Sequence, residues 1–132
     1  MLNILAAAIV LMIPPTTKPI NYDNLHWAIC QVENGSPRAL GGVPCWTQAL
    51  WCEAVSLPYE CSTDPQLNEA MTKCQFLRYA DMLEREKVVP SIWLLAECWN
   101  KGFSGKLTKT DYGQRVENLY YDREAYLNRT QK

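Results

Sequence analysis

Glu33 is the side chain in this sequence whose position most suggests chemistry. It lies near the end of the stretch NYDNLHWAICQVENG, Asn21 to Gly35. Leu25, Ile29 and Val32 recur there at i, i+4 and i+7, which is one face of a helix. Trp27 and Cys30 widen that apolar stripe. A carboxylate in the last turn meets the negative end of the helix dipole, where a cation is favoured. The helix gains nothing from an acid there, so Glu33 is either an indifferent solvated residue or a group placed for reaction. Burial beside apolar surface disfavours the ionised form of a carboxyl. A free Glu titrates near ~4.3, and one raised towards 6 is a serviceable proton donor at neutral pH.

The elements that must hold such an acid read as helices. Asn21 or Asp23 can cap the first, since a short side-chain oxygen accepts the unpaired N–H groups of an opening turn. Gly35 is a natural stop. The stretch SPRALGGVPCW, with Pro37, Gly41, Gly42 and Pro44, reads as a loop or tight hairpin. Thr47 to Val55 is a short helix with Thr47 at its cap. Ser62 to Lys87 is the longest, capped by Thr63 or Asp64, with Pro65 in the first turn, where its missing N–H costs nothing. Leu67, Ala70, Met71, Cys74, Leu77 and Met82 form its expected inward stripe. Pro90 to Asn100 is apolar almost all round and is expected at the centre of the core. A fifth helix begins at Thr110 or Asp111, carries Tyr112, Val116, Leu119 and Tyr120 on one face, and runs to about Leu127.

With 132 residues the chain has room for one domain. Thirteen basic and 14 acidic residues are spread without a basic block, so nucleic-acid binding has no visible footprint. Residues 1–18 stand apart from the domain at 19–132. Ile4 to Ile13 is an unbroken apolar run, too short for the roughly 20 residues of a membrane-spanning helix. Pro14-Pro15 follows it, as in the hydrophobic region of a secretory signal peptide. No Lys or Arg precedes the run and no A-x-A site follows, so an apolar N-terminal helix or membrane tether is the alternative. A secreted or extracytoplasmic monomer is expected, touching a membrane only through this segment if it stays uncleaved.

Six cysteines are an even count, compatible with up to three disulfides in an oxidising compartment or with buried reduced thiols. If the first and fourth helices cross near the site, a Cys30–Cys98 bond would pin them. No metal site is expected: there is no C-x-x-C pair, and the single histidine, His26, reads as a surface imidazole. No cofactor is implied. Five Trp and seven Tyr suit either core packing or a groove in which aromatic faces stack on sugar rings.

Three stretches in order then resemble the lysozyme-like superfamily, most nearly its small lytic-transglycosylase-like and invertebrate-type members. AICQVENGSPRA resembles the family's A-I-x-x-V-E-S-x-x-N-P-x-A segment. GVPCWTQALWCEAV resembles G-x-Y-Q-I-x-x-x-Y-W-x-D-A-V, with Gly42, Trp51, Glu53, Ala54 and Val55 in register. ECWNKGFSGKLTKTDYGQRV resembles W-N-G-G-P-N-G … T-x-x-Y-x-x-x-V through Trp99, Asn100, Gly102, Gly105, Thr110, Tyr112 and Val116. Together they cover most of residues 24 to 120.

The resemblance implies an α+β fold, predominantly α, of about five helices with a much reduced β-hairpin. It implies a muramidase or lytic transglycosylase acting on the β-1,4 bond between N-acetylmuramic acid and N-acetylglucosamine of peptidoglycan. Glu33 becomes the general acid, with Asn100, Tyr112, Trp99 and Gly102 on the substrate side. The alternative is a catalytically degenerate protein on the same fold that binds glycan or serves a structural role. Asn34 stands where the family keeps Ser, Cys45 where it keeps Gln and Pro44 where it keeps Tyr, and Lys101 interrupts the WNGG run. The shortened hairpin removes the stretch where some relatives carry a second carboxylate. Water-using glycosidases normally need two acids. Glu53, Asp64 and Glu97 remain candidates by elimination, Glu53 where the family keeps a structural acid. A single acid suits a transglycosylase, in which a hydroxyl of the substrate attacks.

Overall fold

In the computed structural model, residues 18–34, 44, 46–103 and 107–131 are described. They form five α-helices and one 3-10 turn, and no strand occurs among them. The molecule is mainly α, as the periodicities require. The hairpin expected around Pro37 to Gly42, Cys45 and Gly105 lie outside the described residues, as does nearly all of the N-terminal segment. Among the described residues no helix is long and apolar enough to cross a membrane.

Helix α1 spans Tyr22–Asn34. Its cap is Asn21, whose Oδ1 accepts the Asn24 N–H at 3.1 Å. Asp23 pairs instead with Lys73 on the surface. Leu25, Ala28, Ile29 and Val32 are buried, so the stripe read from spacing is the one that faces inward. Helix α2, Gln48–Ala54, starts where Thr47 accepts the Leu50 N–H. Its Trp51 is fully buried and donates through Nε1 to the carbonyls of Leu57 and Pro58, tying the following loop to the core. A 3-10 turn, Tyr59–Thr63, leads into helix α3, Pro65–Arg85, capped by Asp64 at 2.9 Å from Leu67 N.

The inward face of α3 is the expected stripe only in part: Leu67, Met71 and Met82 are half-buried against the core. Ala70, Cys74 and Leu77 are exposed, whereas Asn68, Thr72, Gln75, Phe76, Tyr79, Ala80 and Leu83 are buried. A polar network explains the rotation. Asn68 Nδ2 donates to the carbonyls of Pro44 and Ser62, Thr72 Oγ1 donates to Asn68 Oδ1, and Trp46 Nε1 donates to Thr72 Oγ1. Buried polar groups with partners are tolerated, and here they fasten the segment before α2 to α3.

Helix α4, Ile92–Lys101, is capped by Ser91 and runs through the centre of the core, with Ile92, Leu95, Ala96, Cys98 and Trp99 buried. Gly102 ends it at φ +83°, a backbone conformation that suits glycine, and its N–H returns to the Cys98 carbonyl. Helix α5, Asp111–Thr130, packs along both α1 and α4 and buries Gly113, Val116 and Tyr120. An edge-to-face chain of aromatic rings, Trp51–Trp46–Trp99–Phe76, joins α2, α3 and α4.

Candidate functional site

The C-terminal ends of α1 and α4 come together at one surface groove of about 490 Å³. Glu33 from α1 and Trp99, Asn100, Lys101 and Gly102 from α4 line it. The face of α2 carrying Ala49, Leu50 and Glu53 supplies further lining, and Tyr79 of α3 also contributes. Another hollow of about 440 Å³, lined in part by Lys18, Ile20, Tyr120 and Glu124, is built from different residues and includes none of those expected at the site.

Glu33 is exposed to solvent, so the burial expected for it beside apolar surface is not found. It does have a specific partner. The Tyr112 hydroxyl, from the first turn of α5, donates to Glu33 Oε1 at 2.9 Å. The Tyr112 ring is half-buried, and burial together with the adjacent Glu33 carboxylate pushes its phenol well above the usual tyrosine range. The proton therefore stays on Tyr112, which acts as a fixed donor to Glu33. Tyr112 meets the groove through its bond to Glu33, and the residues that line the groove are others.

Of the other site residues, Asn100 is exposed and Gly102 half-buried at the groove. Trp99 is only 6% exposed; its ring packs edge-on against Trp46 and Phe76. Its main contribution is to the core beneath the groove.

The three carboxylates considered as a second acid separate cleanly. Asp64 is the α3 cap. Glu97 is fully buried, its Oε2 accepting the backbone N–H and the hydroxyl of Thr110, so it has no access to substrate. Glu53 alone lines the groove with Glu33. It stays solvent-accessible, with an Arg78 guanidinium nitrogen 3.8 Å away. The only signal for Glu97's role in the sequence is its place in the most apolar helix, where an ionisable side chain needs a partner.

Cys45 lies outside the described residues, and four of the other five cysteines form no disulfide. Cys52, Cys61, Cys74 and Cys98 are free, so the expected Cys30–Cys98 bond is not formed. Burial pushes the Cys30 and Cys98 thiols up to about 11, so they are inert packing groups at neutral pH. His26 is half-buried and not a plain surface imidazole; its Nε2 lies 3.6 Å from Cys30 Sγ, and burial lowers its pKa. Among the described residues no group of three His, Cys, Asp or Glu is placed to hold a metal ion.

The class defined by this geometry is a mainly α domain with an acid-bearing groove at the joined ends of two helices. Comparisons with models of protein families, with curated proteins and with solved structures return no match for the chain.

Proposed function

We propose that this protein is a lysozyme-like, extracytoplasmic glycosidase that cleaves the β-1,4 MurNAc–GlcNAc bond of peptidoglycan, as a muramidase or lytic transglycosylase. The observation that carries this reading is the Tyr112–Glu33 hydrogen bond at a groove that Asn100 and Gly102 also line. Three stretches far apart in the chain, each resembling a family motif, contribute to that one place.

In this mechanism Tyr112 holds Glu33 Oε1, leaving Oε2 to deliver a proton to the glycosidic oxygen. Positioned general-acid help of this kind contributes roughly 10²–10⁴ in rate. The Asn100 amide, at the mouth of the groove, supplies hydrogen bonds to an N-acetyl or hydroxyl group of the sugar. Attack then comes either from a hydroxyl of the substrate, giving an anhydro end, or from water activated by Glu53, giving a reducing end.

Clearing of a bacterial cell-wall suspension tests the assignment. Wild type is expected to clear it and Glu33→Gln to fail. Equal clearing by both removes Glu33 as the acid. A second reading, a glycan-binding protein without catalysis, is favoured by the exposure of Glu33. Retention on insoluble peptidoglycan without clearing would select it.

A further inference from the structure

Glu97 is the one carboxylate among the described residues that is wholly buried, and the mechanism above makes no use of it. Its Oε2 accepts two hydrogen bonds from Thr110, one from the backbone N–H and one from the hydroxyl at 2.7 Å. Thr110 occupies the cap position of α5, yet its own side chain caps nothing. The opening turn of α5 is instead anchored by a carboxylate reaching across from α4. A negative group at a helix N-terminus, accepting its free N–H, is a favourable and directional arrangement.

Gly113 shows how closely the two helices are fitted at this point. A Cβ built there would lie 2.7 Å from Glu97 Oε2 and 3.2 Å from Cδ, so only glycine lets α5 sit against the carboxylate. Between Thr110 and Gly113 lies Tyr112, whose hydroxyl reaches Glu33 on α1. Among the described residues Glu97 Oε1 is buried with no hydrogen-bond partner, and Lys101 Nζ lies 4.0 Å away. An orphan carboxylate oxygen in a core costs stability. An apolar residue would avoid that cost but could not hold Thr110.

We propose that Glu97 is a positioning residue that fixes the first turn of α5 and thereby holds the Tyr112 hydroxyl on Glu33. Its consequence for catalysis rests on the glycosidase reading; its consequence for Tyr112 does not. The chain of contacts runs from α4, which also carries Asn100 and Gly102, through Thr110 to Tyr112 and so to Glu33. It sets the acid in register with the rest of the groove.

The test uses the full chain with NMR-labelled tyrosine, the Tyr112 signal being assigned by its loss in Tyr112→Phe. In wild type, Tyr112 should ionise above the ordinary tyrosine value of 10.0. Glu97→Ala should release it, raising its acidity constant roughly tenfold or more; because the Glu97 charge by itself also raises Tyr112, the comparison that counts is Glu97→Gln, which loses the same charge but keeps an acceptor for Thr110 and should restore most of the difference. Thr110→Val removes one of the two bonds with little change of shape and should move Tyr112 the same way by less, which covers the case in which Glu97→Ala does not fold. An unmoved Tyr112 in Thr110→Val, or in a folded Glu97→Ala, overturns the proposal. On cell walls, Glu97→Ala should slow clearing in wild type but add little in a Tyr112→Phe background; additive losses also overturn it. A Tyr112 released by Glu97→Ala and not by Glu97→Gln, in a protein that never clears walls, would leave the positioning role standing and the glycosidase reading fallen.

Discussion

The Tyr112 phenol and the Glu33 carboxylate, 79 positions apart in sequence, meet in a 2.9 Å hydrogen bond that joins α5 to α1. Tyr112→Phe removes that bond and little else, since the ring stays. A net hydrogen bond of this kind contributes about 1 kcal/mol, or roughly fivefold in an equilibrium or rate. The expected result is a fall in kcat of about that size with KM nearly unchanged, because Tyr112 does not line the groove. A rise in KM alone would mean that the phenol meets substrate directly.

Trp99 answers a different question, whether a groove residue serves sugar or core. Its ring centroid is 5.1 Å from that of Trp46 and 5.6 Å from that of Phe76, both edge-on. Trp99→Ala should lower stability by about 3–5 kcal/mol, the usual cost of emptying a large aromatic site. Urea unfolding measures it. Asn68→Ala should also destabilise, by about 1–3 kcal/mol for each carbonyl left unpaired at Pro44 and Ser62. If both variants unfold like wild type, the aromatic and polar network is not the element that holds α2 and α3 together.

How much of this could be read in advance depends on whether spacing or partnership decides. The helices were legible because their apolar periods and caps agree: Asn21, Thr47 and Asp64 all do the local work that their side chains suit. The inward face of α3 was legible only in Leu67, Met71 and Met82, because Asn68 and Thr72 are buried for their hydrogen bonds, and hydrophobicity carries no trace of a partner 24 or more residues away. Glu33, Asn100 and Gly102 could be placed together only through motif order. The buried state of Glu97 and the exposure of Glu33 depend on how three helices meet, which no single stretch encodes.

The thiols give a pH dependence with a definite sign. Cys30 and Cys98 are raised from 9.0 to about 11 in the fold, mainly by burial. Below pH 9 both folded and unfolded chains keep the proton, and this contribution to stability is complete. Between about 9 and 11 the unfolded chain releases protons that the folded chain retains, so stability falls as pH rises through that window. Thermal unfolding from pH 7 to 11 should show a plateau and then a decline, shallower in Cys98→Ala relative to its own plateau. In the same protein at pH 8, exposed Cys52 and Cys74 should alkylate quickly and Cys30 and Cys98 slowly. Rapid labelling of Cys98 would contradict its burial.

Under the proposed glycosidase function, Glu53 is the residue whose role separates the two possible products. It shares the groove with Glu33 and remains solvent-accessible, with an Arg78 guanidinium nitrogen 3.8 Å away. A carboxylate open to water can reach a water molecule as a general base, while the Tyr112 hydroxyl fixes where the Glu33 carboxyl sits. If Glu53 has that role, mass spectrometry of digested wall fragments should find reducing ends, and Glu53→Gln should cost about 10²-fold or more in rate. If the substrate supplies its own nucleophile, the fragments should carry anhydro ends, and Glu53→Gln should matter less than tenfold. The variant stays on the surface of a short helix whose fixed points are Thr47 and Trp51. A loss of activity can therefore be separated from a loss of fold by circular dichroism. Anhydro ends from wild type together with a large loss in Glu53→Gln would rule out a water-activating role and leave Glu53 as a group that binds the sugar.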